Sequence, residues 1–184
     1  MRRLLRLGAL VVTTAALTAC ASAMDVGSHV DRALDFSAYR TYDWGPADAL
    51  PTGDPRLDQN ALFKDRVQGA VERQLAARGI QLVTGGAPDL LIHYHASITE
   101  KLDINRADRT YGYCAGEDCP PDTIASEAGT LVIDFMDART DKLVWRGWAT
   151  NSVKDLLGDP DEMARTIDEA VQRMLAQLPA SLRR

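Results

Sequence analysis

The chain has 184 residues, about the length of one domain without internal repeats, and at that size it can bury roughly 70% of its unfolded surface without metal or dense disulfides. It is acidic, with 26 Asp and Glu against 21 Lys and Arg, and no basic stripe with interleaved aromatics offsets this. Such a charge repels phosphate backbones and argues against a nucleic-acid partner. A hydrophobic content of 46% and a charged content of 26% are ordinary for a globular protein.

Met1 to Cys20 opens with Arg2, Arg3 and Arg6, continues as an apolar run from Leu7 to Leu17, and ends in small residues. A basic head before a short apolar core is a secretory signal, and the run is too short to span a bilayer as an ordinary helix. Its last residues, Leu17-Thr18-Ala19-Cys20, resemble the lipobox of bacterial lipoproteins. That resemblance implies cleavage before Cys20, diacylglycerol on its thiol and acylation of the new amino group. The plainer alternative is a secreted protein with a chance cysteine near its cleavage site. Residues 1–19 are then a signal peptide, 20–24 a lipidated tether, and 25–184 a single domain with 18 bases against 26 acids, net −8. Each buried methylene contributes about 0.8 kcal/mol, so two or three chains anchor where one binds only reversibly. Ala21 follows the cysteine where Asp would favour inner-membrane retention in Gram-negative lipoproteins. The resemblance thus implies the outer membrane, with the domain facing the periplasm.

Along the domain, Val26 to Asp31 is a weak first strand, and Asp35 to Trp44 a turn leading into a strand with Tyr42 and Trp44 on one face. Gly45 to Asp54 is a loop by its Gly, Pro and Asp content. Leu62, Phe63, Val67, Ala70, Val71 and Leu75 recur at helical spacing, predicting a helix from Asp58 to Arg78. Asp58 would cap it, or Asp54 if Pro55 takes the first position. Gly79 stops it, because glycine enters the left-handed region at little cost. A short strand at Ile80 to Val83 follows, then a turn at Gly85 to Pro88, then a strand from Asp89 to Glu100. That strand sets Leu90, Ile92, Tyr94, Ala96 and Ile98 on one face and Leu91, His93, His95, Ser97 and Thr99 on the other. Residues 103–128 read as a polar loop.

Gly129 to Asn151 reads as a hairpin around Asp137 to Asp141, short polar residues that hydrogen-bond their own backbone. Its core face carries Leu131, Ile133, Phe135, Leu143, Trp145 and Ala149. A second helix, Pro160 to Leu178, has Asp159 as its cap and Met163, Ile167, Ala170, Val171, Met174 and Leu178 as its stripe. The expected fold is α+β and two-layered, a mostly antiparallel sheet with both amphipathic helices on one face. The opposite face would carry Val132, Met136, Val144 and Trp148. It is either a candidate interaction face or is covered by the long loop or the N-terminal segment.

Four stretches in order, Asp35 to Trp44, Pro88 to Tyr94, Gly129 to Asp134, and Asp137 to Gly147, stand behind the lipobox. Together they resemble the bacterial lipoprotein family called domain of unknown function, number 4136, over roughly residues 25–179. The resemblance brings no catalytic residues. The loop before Gly129 departs from the family's usual glycine- and aromatic-rich pattern by holding Cys114 and Cys119.

With Cys20 lipidated, Cys114 and Cys119 are the remaining thiols. In an exported domain a structural bridge between them is expected, ahead of free thiols, a redox pair or half a zinc site. His93 and His95, two apart on one strand face, are a weak half of a metal site, with only Asp89, Glu100 or His29 to complete it. Asp103, Asp108, Glu117, Asp118 and Asp122 match no EF-hand spacing and read as solvated loop charge. No nucleophile elbow, P-loop, dinucleotide fingerprint or zinc-protease helix is present. The expectation is therefore a membrane-anchored module without catalytic residues, metal or cofactor, which binds an envelope protein or peptidoglycan or serves a structural role. The alternative is a periplasmic hydrolase or metal-dependent enzyme acting on envelope material.

Overall fold

The computed structural model describes residues 24–31, 35–45, 54–58, 60–102, 125–153 and 159–182. Its strands are β1 (Asp25–Val30), β2 (Thr41–Trp44), β3 (Gln81–Leu82), β4 (Leu90–Leu102), β5 (Ala125–Asp137) and β6 (Lys142–Ser152). Its helices are α1 (Pro55–Asp58), α2 (Ala61–Ala76) and α3 (Pro160–Leu175). The strands form one mixed sheet in the order β1-β6-β5-β4-β2-β3. Pairings from β1 through β4 are antiparallel, while β2 runs parallel to both β4 and β3. The fold is α+β.

Burial follows the period-two reading. Leu90, Ile92 and Ala96 of β4 and Leu131, Ile133 and Phe135 of β5 share one core with Trp145 and Ala149 of β6. The same core takes Phe63, Val67, Ala70, Val71 and Leu75 of α2 and all six residues of the expected stripe on the last helix. That helix stops at Leu175, yet Leu178 beyond it is still buried. Its start is built as the sequence suggests. Asp159 is extended at φ −112° and accepts from the backbone N–H groups of Asp161 and Glu162, with Pro160 in the first turn.

Three expectations are corrected. The first helical region is two helices, broken so that Asn60 caps α2 by accepting from the Phe63 N–H, and Leu62 points to solvent, 40% exposed. The strands flanking the predicted loop 103–128 are longer than expected, since β4 runs past Glu100 to Leu102 and β5 begins at Ala125 rather than Gly129, in register throughout. Third, β6 carries one extra residue between its pairings of Trp145 with Phe135 and Leu143 with Met136. That bulge reverses the alternation beyond it. Val144, expected on the opposite face, is buried in the core at 1% exposure, while Leu143, expected in the core, is half-buried and takes the place opposite Met136. The expected face therefore loses Val144.

Two carboxylates fasten the turns. Asp89 accepts from the Arg40 and Thr41 N–H groups at 2.8 and 2.9 Å and from the Thr41 hydroxyl at 3.0 Å. Asp137 closes the β5–β6 turn by accepting from the Arg139 and Thr140 N–H groups and the Thr140 hydroxyl. Its other oxygen accepts from the buried Tyr39 phenol at 3.0 Å. Burial, helped by that carboxylate, pushes the phenol up to about 12.

Burial alone would raise both acids, but their hydrogen bonds outweigh it and hold them below the ordinary 3.8. A carboxylate depressed in the folded state stabilises fully above its unfolded value, and that contribution is lost as pH falls through the folded one. Denaturant midpoints are therefore expected to fall steeply below about pH 4. The Asp89→Asn/Asp137→Asn variant should be weaker at pH 7 but show a shallower acid limb. An unchanged acid slope would contradict this assignment.

Both sheet edges are guarded. On β1, Arg173 and Gln177 of the last helical region donate to the Met24 and Val26 carbonyls. At the other edge β3 is only two residues long.

Candidate interaction face

On the face opposite the core residues of β4, β5 and β6, successive rows run straight across the strands. His93, Asp134, Arg146 and His29 form one row; His95, Val132, Trp148 and Gly27 form the next. Leu91 stands beside Met136 and Leu143, and Ser97 beside Thr130 and Thr150. The two threonine hydroxyls meet at 3.0 Å.

The centre of this face is charged. Asp134 is 3% exposed although it lies outside the core cluster, because Arg146 covers it in a two-pronged pair, Nε to Oδ1 and Nη2 to Oδ2, both 2.6 Å. Such a fork is the strong form of an ion pair. It holds the guanidinium above its ordinary value. His95 approaches the same carboxylate, Nε2 to Oδ2 at 3.7 Å, too far for a hydrogen bond. Neither ring nitrogen of His95 has a hydrogen-bond partner among the described residues. Burial pushes its pKa below 6.5; Asp134 opposes that shift, and His93 and Arg146 reinforce it.

Beside this centre stand apolar side chains. Val132, Met136 and Trp148 are half-buried. The Trp148 indole lies against Gly27, where an added Cβ would stand 2.2 Å from its ring. The His93 ring lies against Gly45 in the same way, 2.0 Å from such a Cβ. Both glycines are needed for this close approach.

The structure thus brings His93, His95, Val132, Met136 and Trp148 onto one face and removes Val144 from it. Cys20, Cys114, Cys119 and the five loop acids lie outside the described residues. Of the possible metal partners, Asp89 is taken up by the Arg40–Thr41 turn, and His29 is exposed on the edge strand. Among the described residues no three His, Cys, Asp or Glu side chains gather as a metal ion would require. A separate depression of about 380 Å³ lies between the end of α2 and β3, lined by Tyr42, Glu72, Ala76, Gly79, Ile80, Gln81 and Leu82. Its carboxylate is engaged, since Glu72 accepts from the Trp44 indole at 3.1 Å. No described helix is long and apolar enough to cross a membrane.

The sequence profile of the family described as "Domain of unknown function (DUF4136)" matches residues 26–180. The chain belongs to the DUF4136 family. No curated protein matches it. Among solved structures it is similar to a PDZ domain protein from Parabacteroides distasonis, at 16% identity and a TM-score of 0.51. That match covers 85% of this chain and 36% of the other, so the chain spans about a third of that protein. It is also similar to a DUF4136 family protein from Bacteroides thetaiotaomicron, at 14% identity and a TM-score of 0.50, covering 87% of this chain and 97% of that one. PelC, a dodecamer from Paraburkholderia phytofirmans, matches at 10% identity and a TM-score of 0.47, over 88% and 98%. At these identities the DUF4136 chain shares a fold, and only a fold, with the Parabacteroides and Bacteroides proteins.

Proposed function

We propose that this DUF4136 protein is an envelope lipoprotein, anchored through acyl chains on Cys20 to the outer membrane and facing the periplasm, and that its domain is a non-catalytic binding or structural module. The observation that carries the anchor is Leu17-Thr18-Ala19-Cys20 standing where the apolar run stops. Two or three acyl chains there make release negligible. In that compartment Cys114 and Cys119 form a disulfide, since exported domains sit where such bonds persist.

The domain is read as two layers. Support comes from the buried stripes of α2 and α3 sharing one core with Ile133, Phe135 and Trp145. The second sheet face is then the one that offers itself to a partner, an envelope protein or peptidoglycan. Trp148, Val132 and Met136 supply apolar contact there, and the Asp134–Arg146 fork supplies fixed charge. Apolar side chains beside a charged anchor suit binding better than turnover, because the carboxylate is already engaged.

Replacing the lipid-bearing residue is the direct test. Cys20→Ala is expected to lose lipid labelling and to move from the membrane fraction to the soluble one. A variant that still sediments with membranes would refute the anchor.

A further inference from the structure

We infer that the domain stands on the bilayer on one particular end, the end at which β4 and β5 outrun the rest of the sheet. The inference rests on the anchoring at Cys20 proposed above and adds to it which surface meets lipid.

Asp25, Thr150, Thr130 and Ser97 form one row across β1, β6, β5 and β4. Beyond that row β6 continues only to Ser152, whereas β4 and β5 remain paired out to Leu102 and Ala125. The five residues past the row, of which Glu100 to Leu102 and Ala125 to Glu127 lie beyond the end of β6, form a projecting ribbon about 17 Å long, at a rise of about 3.4 Å per residue. The short helix α1 is tied to its flank. Arg56 donates to both oxygens of Glu127, at 3.2 and 2.9 Å.

Strand β1 begins at the same row, and Met24 lies on the same side of it as the ribbon. Met24 follows Asp25 outward and is fixed: its side chain is in the core at 6% exposure, and its carbonyl accepts from Arg173 at 3.1 Å. Between Met24 and Cys20 there are four peptide steps. A fully extended chain covers about 3.5 Å per step, so Cys20 lies at most about 14 Å from Met24 and about 17 Å past the row. That limit equals the length of the ribbon. A cysteine whose sulfur carries a glycerolipid sits at headgroup level, so the ribbon end and α1 are brought to the headgroups with it. The β5–β6 turn at Asp137 to Asp141 lies at the other end of the sheet. Seven residues of β4, Ser97 back to Leu90, place it about 24 Å further from the lipid.

The test uses the full mature lipoprotein, carrying Cys114→Ser and Cys119→Ser so that one introduced thiol takes a fluorophore. Thr99 and Glu127 on the ribbon and Arg139 in the opposite turn are all exposed. They are replaced by cysteine one at a time, with thermal melts to show that each variant folds. The proteins are reconstituted in phosphatidylethanolamine–phosphatidylglycerol vesicles containing a headgroup-spin-labelled lipid. Probes at 99 and 127 should be quenched several-fold more than the probe at 139. Equal quenching, or stronger quenching at 139, would overturn the orientation while leaving the anchor standing. Failure of the protein with native Cys20 to float with vesicles would instead sink the anchoring reading and the orientation with it.

Discussion

Trp145→Ala should lower the stability of the domain by about 3–5 kcal/mol, the range for emptying a large aromatic site in a core. In a domain of this size that corresponds to a fall in Tm of about 10 °C. Trp145 is fully buried, and its ring packs against Phe135 with centroids 5.0 Å apart. It also folds back over Gly147, where a Cβ would stand 2.2 Å from the indole. The surrounding strands are hydrogen-bonded on both sides, so the space cannot close by local collapse. Its indole N–H is buried without a partner among the described residues. An unsatisfied buried donor costs about 1–3 kcal/mol. Trp145→Phe, which removes that donor and keeps most of the ring, is therefore expected to cost much less than Trp145→Ala. Denaturant unfolding of the two variants checks the pair, and equal losses would contradict the packing described here.

The second large effect is at the charged centre of the sheet face opposite the core. Arg146→Met is expected to destabilise by about 2 kcal/mol, below the about 3–5 kcal/mol of a fully buried broken pair, because Arg146 is itself part-exposed. The cost arises from leaving the Asp134 carboxylate covered but unpaired. Removing the guanidinium also removes one of the charges that depress His95, so its imidazole titration should move upward in NMR. Asp134→Leu combined with Arg146→Met should recover most of the loss, since a well-packed apolar pair often replaces an ion pair at no cost. A double variant as weak as the single one would show that the face depends on the charges themselves.

The reach of sequence reasoning can be traced through this same pair. Alternation in β4 was legible because its two faces differ in polarity over most of its length, and the core positions Ile92, Ile133 and Phe135 fall where period two puts them. The stripe of the last helix and its Asp159 cap were legible for the same reason, since helical period and capping chemistry are local. The bulge was not. It inserts one residue of β6 into the ladder, and nothing in Leu143-Val144-Trp145 marks which of the three is extra. Without it, the register at the turn would set Asp134 opposite Trp145; with it, Asp134 meets Arg146. One residue of slip thus decides both the burial of Val144 and the existence of the ion pair. An acid inside the apolar run Leu131 to Met136 was the available signal that Asp134 needed a cationic partner, but not which one. The parallel pairing of β2 with β4 was likewise invisible, because it depends on a crossover through α2 rather than on a turn.

What the face does in the cell depends on where the domain is held, which the proposed function assigns to Cys20. The most direct measurement is the intact mass of the mature protein extracted from membranes in detergent. The account predicts a chain beginning at Cys20, without residues 1–19, carrying a thioether-linked diacylglycerol and an amide-linked acyl chain on that residue. A mass that retains Met1 to Ala19, or that shows Cys20 bare, would contradict it.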